Sequence, residues 1–252
     1  MKNIKTSIGV LFLTYSGFAG DSRVYNEDMG KRMNEQIRMS NVRGITGYTF
    51  NYTAGILNKE SYKSSVEVFD RSGNKSEDAV YMKDGETTSS YLYTHNEEGI
   101  ELKNVGIELH KPVYNNWSYE IVDSLSALKK YHTDGKSKEY WLTQYDESGR
   151  KTREYYYAHD GILDYTKELK YDKTGRLSEK FQYDSYGNLY TRWSYIYDVS
   201  GSITSVIQYE PKGNVFQTTS FSYDNKNNVS TSTLTDHTGK YISMTVYMYD
   251  YY

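Results

Sequence analysis

The chain has 252 residues, a formal net charge of −3 and 30 tyrosines, with only two prolines and no cysteine. The weak net charge provides no basic surface for nucleic acid or for anionic membranes. The lack of cysteine excludes disulfides, thiol catalysis, thiolate metal sites and a lipoprotein anchor. Because tyrosine combines an apolar ring with a polar tip, this composition favours a half-buried sheet over a thick apolar core.

The N-terminal segment has the three parts of a bacterial signal peptide. Lys2 and Lys5 precede a mostly apolar run at residues 8–18, and a small residue, Ala19, follows it. We expect residues 1–19 to be a signal peptide and residues 20–46 to be a leader, loose or a short helix. The alternative is that the apolar run forms a first strand. The run is too short to span a bilayer as a helix, so we expect no integral membrane segment in the mature chain and a secreted, periplasmic or cell-envelope location.

A repeated turn organises the rest of the sequence. The unit Tyr-Asp-x-x-Gly begins at Tyr171 and again at Tyr183, followed each time by Arg or Asn and then Leu. The turn position is held by Gly73, Gly85, Gly99, Gly135, Gly149, Gly161, Gly175, Gly187, Gly201, Gly213, Asn227 and Gly239. From the fourth of these onward the spacings alternate strictly between 14 and 12 residues. The repeating unit is therefore a 26-residue pair of strands.

The predicted array covers residues 47–252. Between the third and fourth turn glycines the spacing is 36 residues where the rule gives 38, and we fill it with degenerate turns near Lys111 and Leu125. Extending backwards from the first glycine by 14 and then 12 residues predicts turns near Lys59 and Gly47.

Each turn has a physical cause. In Asp-x-x-Gly the Asp side chain accepts hydrogen bonds from backbone amides of the turn, and the Gly takes the left-handed conformation that closes it. Asn227 replaces the glycine once, and Asn is the non-glycine residue that best tolerates positive φ. Between turns the side chains alternate in character, as in residues 189–197, which is typical of strands.

The even spacings predict that every strand begins and ends on the same face. The face that carries the tyrosine of the turn would then be aromatic along the whole array, and the opposite face would be polar. We predict an all-β fold, a long antiparallel meander of about 14–16 strands in one curled or coiled sheet, because wide flat sheets are unusual. The aromatic face would be the concave or packed side.

The Tyr-Asp-x-x-Gly-(Arg/Asn)-Leu units resemble the YD repeats of the RHS family, over roughly residues 69–250. The resemblance implies a long sheet that curls into a spiral or shell, often around a C-terminal toxin domain. The 26-residue pair period is longer than in typical family members, and we expect a short array without a toxin domain. A weaker resemblance is to MORN-like antiparallel β-repeats.

No residue pattern predicts catalysis, a cofactor or a metal site. The five histidines do not lie at helical or hairpin-ligand spacing from one another; they are His95, His110, His132, His159 and His237. Rows of turn aspartates would suit calcium, but each Asp already has a use within its own turn. We therefore expect a non-enzymatic binding or scaffolding protein whose partner is an unknown protein or glycan at the cell surface. The alternatives are a carbohydrate-binding repeat module and a detached shell fragment of an RHS-type toxin.

One mid-strand position on the aromatic face is the candidate ligand site. Eight residues before each turn that closes a 14-residue interval stand Tyr91, Trp117, Trp141, Lys167, Trp193, Thr219 and Thr245. Alternate strands of a meander lie about 9–10 Å apart, so the rings at this position would form a row, with Tyr91, Trp117, Trp141 and Trp193 as its members. These rings either fill the inside of a curled sheet or form an exposed stacking platform for a glycan or an extended peptide.

Export from a Gram-negative host tests the signal peptide. We expect the exported protein to begin at Gly20, because cleavage follows Ala19. The intact mass of the protein in the periplasmic or secreted fraction identifies its first residue directly. An exported protein that still carries Met1 would contradict the prediction.

Overall fold

The protein is built almost wholly of β-strands. The structure is a computed structural model, which describes residues 37–95, 101–108, 111–123, 126–133, 136–158 and 161–252. The predicted signal peptide and the turn glycines Gly99 and Gly135 lie outside these residues. In chain order the strands are β1 Val42–Thr53, β2 Ile56–Phe69, β3 Lys75–Tyr81, β4 Thr87–His95, β5 Glu101–Glu108, β6 Lys111–Asp123, β7 Ser126–Thr133, β8 Lys136–Tyr145, β9 Lys151–Tyr157, β10 Leu163–Tyr171, β11 Leu177–Asp184, β12 Leu189–Tyr197, β13 Ile203–Tyr209, β14 Val215–Tyr223, β15 Val229–Asp236 and β16 Tyr241–Tyr251.

The strands form one antiparallel sheet in meander order. Each strand pairs with the next along the chain, and β16 also pairs with β1, so the sheet closes on itself. The predicted all-β fold, a single curled meander of hairpin repeats, is confirmed. A helical turn at residues 37–39 precedes β1. None of the helical residues described belongs to a helix long and apolar enough to cross a membrane.

The turns lie where the repeat predicts them. Asp172 Oδ1 accepts hydrogen bonds from the backbone N–H groups of Thr174 at 2.8 Å and Arg176 at 3.0 Å, and Gly175 adopts φ +84°. The same left-handed conformation occurs at Gly73, Gly85, Gly149, Gly161, Gly187, Gly201, Gly213, Asn227 and Gly239. The Asp-x-x-Gly interpretation of these turns is confirmed.

The start of the array differs from the prediction. Gly47 and Lys59 are not turns, since they lie inside β1 and β2. The turn between these strands is at Ala54 and Gly55, both with positive φ, as in a tight two-residue hairpin. This hairpin lacks Asp-x-x-Gly, so the 12/14 spacing does not extend through it. Of the two expected degenerate turns, Lys111 is the first residue of β6, and Leu125 lies outside the described residues.

A bulge follows the turns at both ends of the hairpins, as at Ser178 in β11 and Tyr190 in β12, and reverses the side-chain alternation there. In β10–β11, Lys170 pairs with Glu179 while Tyr171 pairs with Leu177, so Ser178 is an extra residue. Its hydroxyl donates to the Lys170 carbonyl at 3.1 Å. The equivalent residues Ser76, Thr152 and Thr204 make the same bond to the facing strand, at 3.2, 3.3 and 3.3 Å. A bulge of this kind exchanges the two faces of the strand that follows it.

The prediction of a single aromatic face is therefore right for the long strands and wrong for the short ones. We call the strands within 14-residue intervals long and those within 12-residue intervals short. In the long strand β12, Thr191, Trp193 and Tyr195 are buried. In the short strand β11, however, Phe181 packs on the outer face under the exposed Lys170, with Nζ 4.4 Å from the ring centroid, while Lys180 turns inward.

Tyrosine hydroxyls tie each repeat to the one before it. The turn tyrosines at the ends of the long strands point inward, and four of them donate a hydroxyl hydrogen bond to the carbonyl of a residue 20 positions earlier. The bonds run from Tyr171 to Lys151, Tyr197 to Leu177, Tyr223 to Ile203 and Tyr249 to Val229, at 2.6, 2.7, 2.7 and 2.8 Å. Arg150 and Arg176 cover the rings of Tyr171 and Tyr197, with Cζ 4.9 and 4.6 Å from the centroids.

The junction between β16 and β1 uses contacts of the same kind. The Tyr252 hydroxyl donates to the Phe69 carbonyl at 2.6 Å, and Arg71 lies over the Tyr252 ring at 4.7 Å. Inside the sheet, Thr49 and Thr245 share a hydroxyl hydrogen bond of 2.8 Å. The closure is thus stabilised by side chains as well as by strand pairing.

Substitution of Gly187 tests the turn geometry. A Cβ at this residue would meet no atom within 4 Å, so only its φ of +83° resists a larger side chain. We expect Gly187→Val to lower the free energy of unfolding by about 1–3 kcal/mol. Gly187→Asn should cost less than about 1 kcal/mol, because Asn tolerates this conformation, as Asn227 does here with φ 63°. Chemical denaturation gives both values, and equal losses would contradict a left-handed turn.

Candidate interior binding site

The interior of the closed sheet is unusually polar. Among the described residues, 17 polar or charged residues are buried against 13 hydrophobic ones. A fully buried ionised group is rare unless it is paired. The interior is therefore not a simple apolar core, and its charged groups need individual explanations.

Four charged residues of β9, β10 and β11 form a group that we call the lysine cluster: Lys151, Glu154, Lys167 and Lys180. Lys151 Nζ lies 2.6 Å from Glu154 Oε2, and Lys167 Nζ lies 3.3 Å from Glu154 Oε1. The residue Glu154 is only 2% exposed. The bulge at Thr152 places Lys151 and Glu154 on the same face although they are three residues apart.

The protonation of Glu154 is governed by its two lysines. Burial of the carboxylate acts to raise its pKa, but the positive charges and hydrogen bonds of Lys151 and Lys167 outweigh burial and lower the pKa to about 2. The ordinary value is 4.5, so the unfolded chain binds this proton more readily than the folded protein. The stabilisation from Glu154 is thus complete above pH 4.5 and is lost as the pH falls toward 2.

Lys180 is the unneutralised member of the cluster. Its Nζ lies 4.1 Å from the ring centroid of Trp193, the residue directly opposite on β12. Within the described part of the chain, no carboxylate lies within ion-pair distance of it. Burial, and then the nearby charge of Lys167, lower the pKa of the Lys180 amine to about 8. Lys151 and Lys167 therefore share Glu154, whereas Lys180 has no such contact in the described part of the chain.

The predicted row of rings lies on the interior face where the structure describes it. Trp141 and Trp193 are 8% and 7% exposed, and Tyr91 is partly exposed. The side chain of Trp117 lies outside the described residues. Lys167 stands at the same repeat position and contacts Glu154. The burial of the two tryptophans agrees with the packed interpretation of the row, while a role in ligand stacking stays a prediction.

Aromatic rings continue beside the lysine cluster. Trp141 packs on Tyr156 with centroids 4.9 Å apart, and Tyr156 stacks on Tyr165 at 4.8 Å. Lys167 Nζ lies 4.8 Å from the centroid of the Tyr165 ring. The interior wall thus combines cations with a continuous run of rings.

A second group of buried ions lies in the first third of the sheet. Lys75 Nζ contacts Glu67 Oε1 at 2.5 Å and Asp78 Oδ2 at 3.2 Å, and the Tyr93 hydroxyl donates to the same Asp78 oxygen at 2.9 Å. Lys75 and Asp78 occupy the repeat positions of Lys151 and Glu154. This group has two carboxylates and one lysine, so the positive charge of Lys75 is already neutralised.

The lysine cluster was missed in the sequence because strict alternation places Glu154 and Lys180 on the polar face. The signal that would have found it is a Ser or Thr three residues after the turn glycine. Residues 76, 152, 178 and 204 are all Ser or Thr, and residue 230, after Asn227, is Ser. In the described chain, no group of three or more His, Asp or Glu side chains is placed to hold a metal ion.

Comparisons with known proteins give no family for this chain. No family model matches it, and no curated protein matches it either. Among solved structures, a porin-like protein from Bacteroides vulgatus is 11% identical over 81% of this chain and 97% of that one, with a TM-score of 0.39. A LolA superfamily protein from Nitrosomonas europaea is 9% identical over 89% of this chain and 91% of that one, with a TM-score of 0.32. A Photorhabdus luminescens Tc holotoxin pore structure is 11% identical over 75% of this chain but only 14% of that one, with a TM-score of 0.22. At these values the similarities assign neither a family nor a function.

Neutralising Glu154 tests the cluster. We expect Glu154→Gln to lower the free energy of unfolding by about 3–5 kcal/mol, because the buried Lys151 and the partly buried Lys167 lose the carboxylate that they share. The matched control is Glu179→Gln, which removes an outer-face ion pair with Arg192 whose side chains are 32% and 31% exposed. That change should cost less than about 1 kcal/mol. Urea denaturation at pH 7 measures both, and similar losses would show that Glu154 is not the buried counter-ion.

Proposed function

We propose that this protein is a non-enzymatic binding protein, exported to the cell envelope or secreted, whose ligand contacts the interior wall of the closed sheet. The observation that carries the proposal is the lysine cluster together with the rings of Trp141, Tyr156, Tyr165 and Trp193. Residues 1–19, as a signal peptide, support export.

The energetics of the interior favour binding over a purely structural role. Buried ion pairs contribute little net stability, and apolar residues of similar size often serve as well or better. A concave surface of aromatic residues with a few convergent charged groups is the usual composition of a ligand site. Moreover, the side chain of Lys167 remains 22% exposed although it points inward, so solvent reaches part of this wall.

We also infer that the array is of the YD type. The support is local: Asp172 and its equivalents cap their own turns, the turn glycines take positive φ, and the tyrosine hydroxyls join successive repeats. A glycan ligand is the specific alternative to a protein partner. It is favoured by the stacked rings of Tyr156 and Tyr165, because sugar faces pack on such rings.

A ligand screen tests the proposed function. Glycan and peptide libraries would be tested by thermal shift, and hits by tryptophan fluorescence titration. We expect hits to lose affinity in Trp141→Phe or Tyr156→Ala, since both residues line the interior. Tyr190→Ala, on the outer face at a residue 64% exposed, is the matched control and should bind normally.

Two outcomes would contradict the proposal. Hits that are lost in Tyr190→Ala but kept in the interior variants would move the binding surface to the outside of the sheet. An absence of hits, with partners recovered only through outer-face residues, would favour a scaffolding role.

A further inference from the structure

Lys180 and Trp193 offer two hydrogen-bond donors side by side with no acceptor between them. The two residues are directly paired across β11 and β12. Trp193 is only 7% exposed, and its indole Nε1 has no hydrogen-bond partner. A buried donor without an acceptor is costly, because it has lost water and gained nothing in exchange. An indole N–H beside an unneutralised ammonium is the donor set that an oxyanion would satisfy.

The charge balance around the pair points the same way. Lys151 and Lys167 both contact Glu154, so the one carboxylate of the cluster is already shared. Lys180, in contrast, has no carboxylate at ion-pair distance in the described part of the chain. Its other neighbours on this wall are apolar, since Leu169, Leu177, Trp193, Tyr195 and Val206 pack together there. An entering anion would supply the counter-charge that Lys180 lacks.

Solvent reaches one side of the pair. Lys180 is partly exposed, and Lys167 keeps 22% of its side chain exposed, although both turn into the interior. The indole nitrogen of Trp193 is closed to solvent, so an anion would contact its N–H once the flexible side chain of Lys180 moves off the ring. Sulfate and phosphate groups are larger than water and accept several hydrogen bonds at once.

We propose that the interior wall binds an oxyanion group, a phosphate, sulfate or carboxylate, between the ammonium of Lys180 and the indole N–H of Trp193. The inference rests on the proposed function and deepens it, because it names the chemistry that the ligand must carry. Lys167 is close enough to add long-range attraction, while its own contact with Glu154 holds it in place.

The experiment compares Lys180→Met with Lys170→Met. Lys170 is the matched control, because its Nζ also lies over a ring, that of Phe181 at 4.4 Å, but on the exposed outer face. Sodium sulfate and sodium phosphate would be titrated at constant ionic strength, balanced with sodium chloride, and followed by calorimetry and thermal shift. We expect saturable binding in the native chain and in Lys170→Met, and a loss of about tenfold or more in affinity in Lys180→Met. Lys180→Met should fold, since it removes a buried charge and keeps the length of the side chain.

Two further measurements make the test independent of that variant. In Trp193→Phe the N–H donor is lost while an aromatic ring remains, and sulfate affinity should fall. In the native chain, the indole N–H resonance that disappears in Trp193→Phe should shift on addition of sulfate. Saturable binding that survives in Lys180→Met, or a response to sulfate no larger than that to chloride, would overturn the proposal.

The pH dependence supplies a third check. The titratable groups that face Lys180 are Lys151 and Glu154 on β9 and Lys167 on β10, while the residue opposite it on β12 is Trp193. Because the pKa of the Lys180 amine is about 8, sulfate affinity should decline as the pH rises through that value, whereas sulfate itself does not titrate there. A flat profile between pH 6 and pH 9 would count against Lys180 as the anion ligand. Neutral glycans or peptides that bind the interior without any sulfate response would defeat the oxyanion site while leaving the proposed binding function intact.

Discussion

Successive side chains of a β-strand point to opposite faces, so one extra residue exchanges the faces for the rest of that strand. In this protein an extra residue follows the turns at both ends of the hairpins. At the start of the short strands that residue is Ser178 or an equivalent, whose hydroxyl donates a hydrogen bond to the facing strand. The inward placement of Glu154 and Lys180 on the short strands depends on this bulge.

The polar interior follows from this bulge and would be unstable without mutual compensation. Glu154 is held by Lys151 and Lys167, and Lys75 by Glu67 and Asp78, so most buried charges have a partner at ion-pair distance. Polar side chains elsewhere on the wall are joined in the same manner, as where Gln217 donates to Gln208 at 3.0 Å. Such networks are costly if any member is left unsatisfied. Because of that cost, the Lys180 ammonium, which lacks an ion-pair partner among the described residues, and the unsatisfied N–H of Trp193 are exceptions within this interior.

Much of the fold could be predicted from the sequence, because turn chemistry is local. The Asp172 side chain accepts a hydrogen bond from a backbone N–H of its own turn, and Gly175 closes the turn with a positive φ. The even spacing of these turns predicted the strands between them correctly. The faces of the short strands could not be derived from spacing, since the bulges after the turns exchange the faces while the intervals between turn residues stay even. The hairpin at Ala54 and Gly55 was missed because a two-residue turn carries no Asp-x-x-Gly. Of the candidate site, the position of Trp193 was found, but its partner Lys180 lay on the face assigned to solvent.

The way in which the ends meet has a consequence for the size of the molecule. Arg71 covers Tyr252 much as Arg150 covers Tyr171, and the hydroxyl of Tyr252 reaches a backbone carbonyl of the neighbouring hairpin as the other turn tyrosines do. Joining first strand to last therefore uses the same ring and hydroxyl contacts as the other units. Gain or loss of one two-strand unit would change the circumference of the sheet while leaving these contacts in place. Gene duplication within such a closed sheet is a route to a wider interior, and deletion is a route to a narrower one, without the invention of a new core.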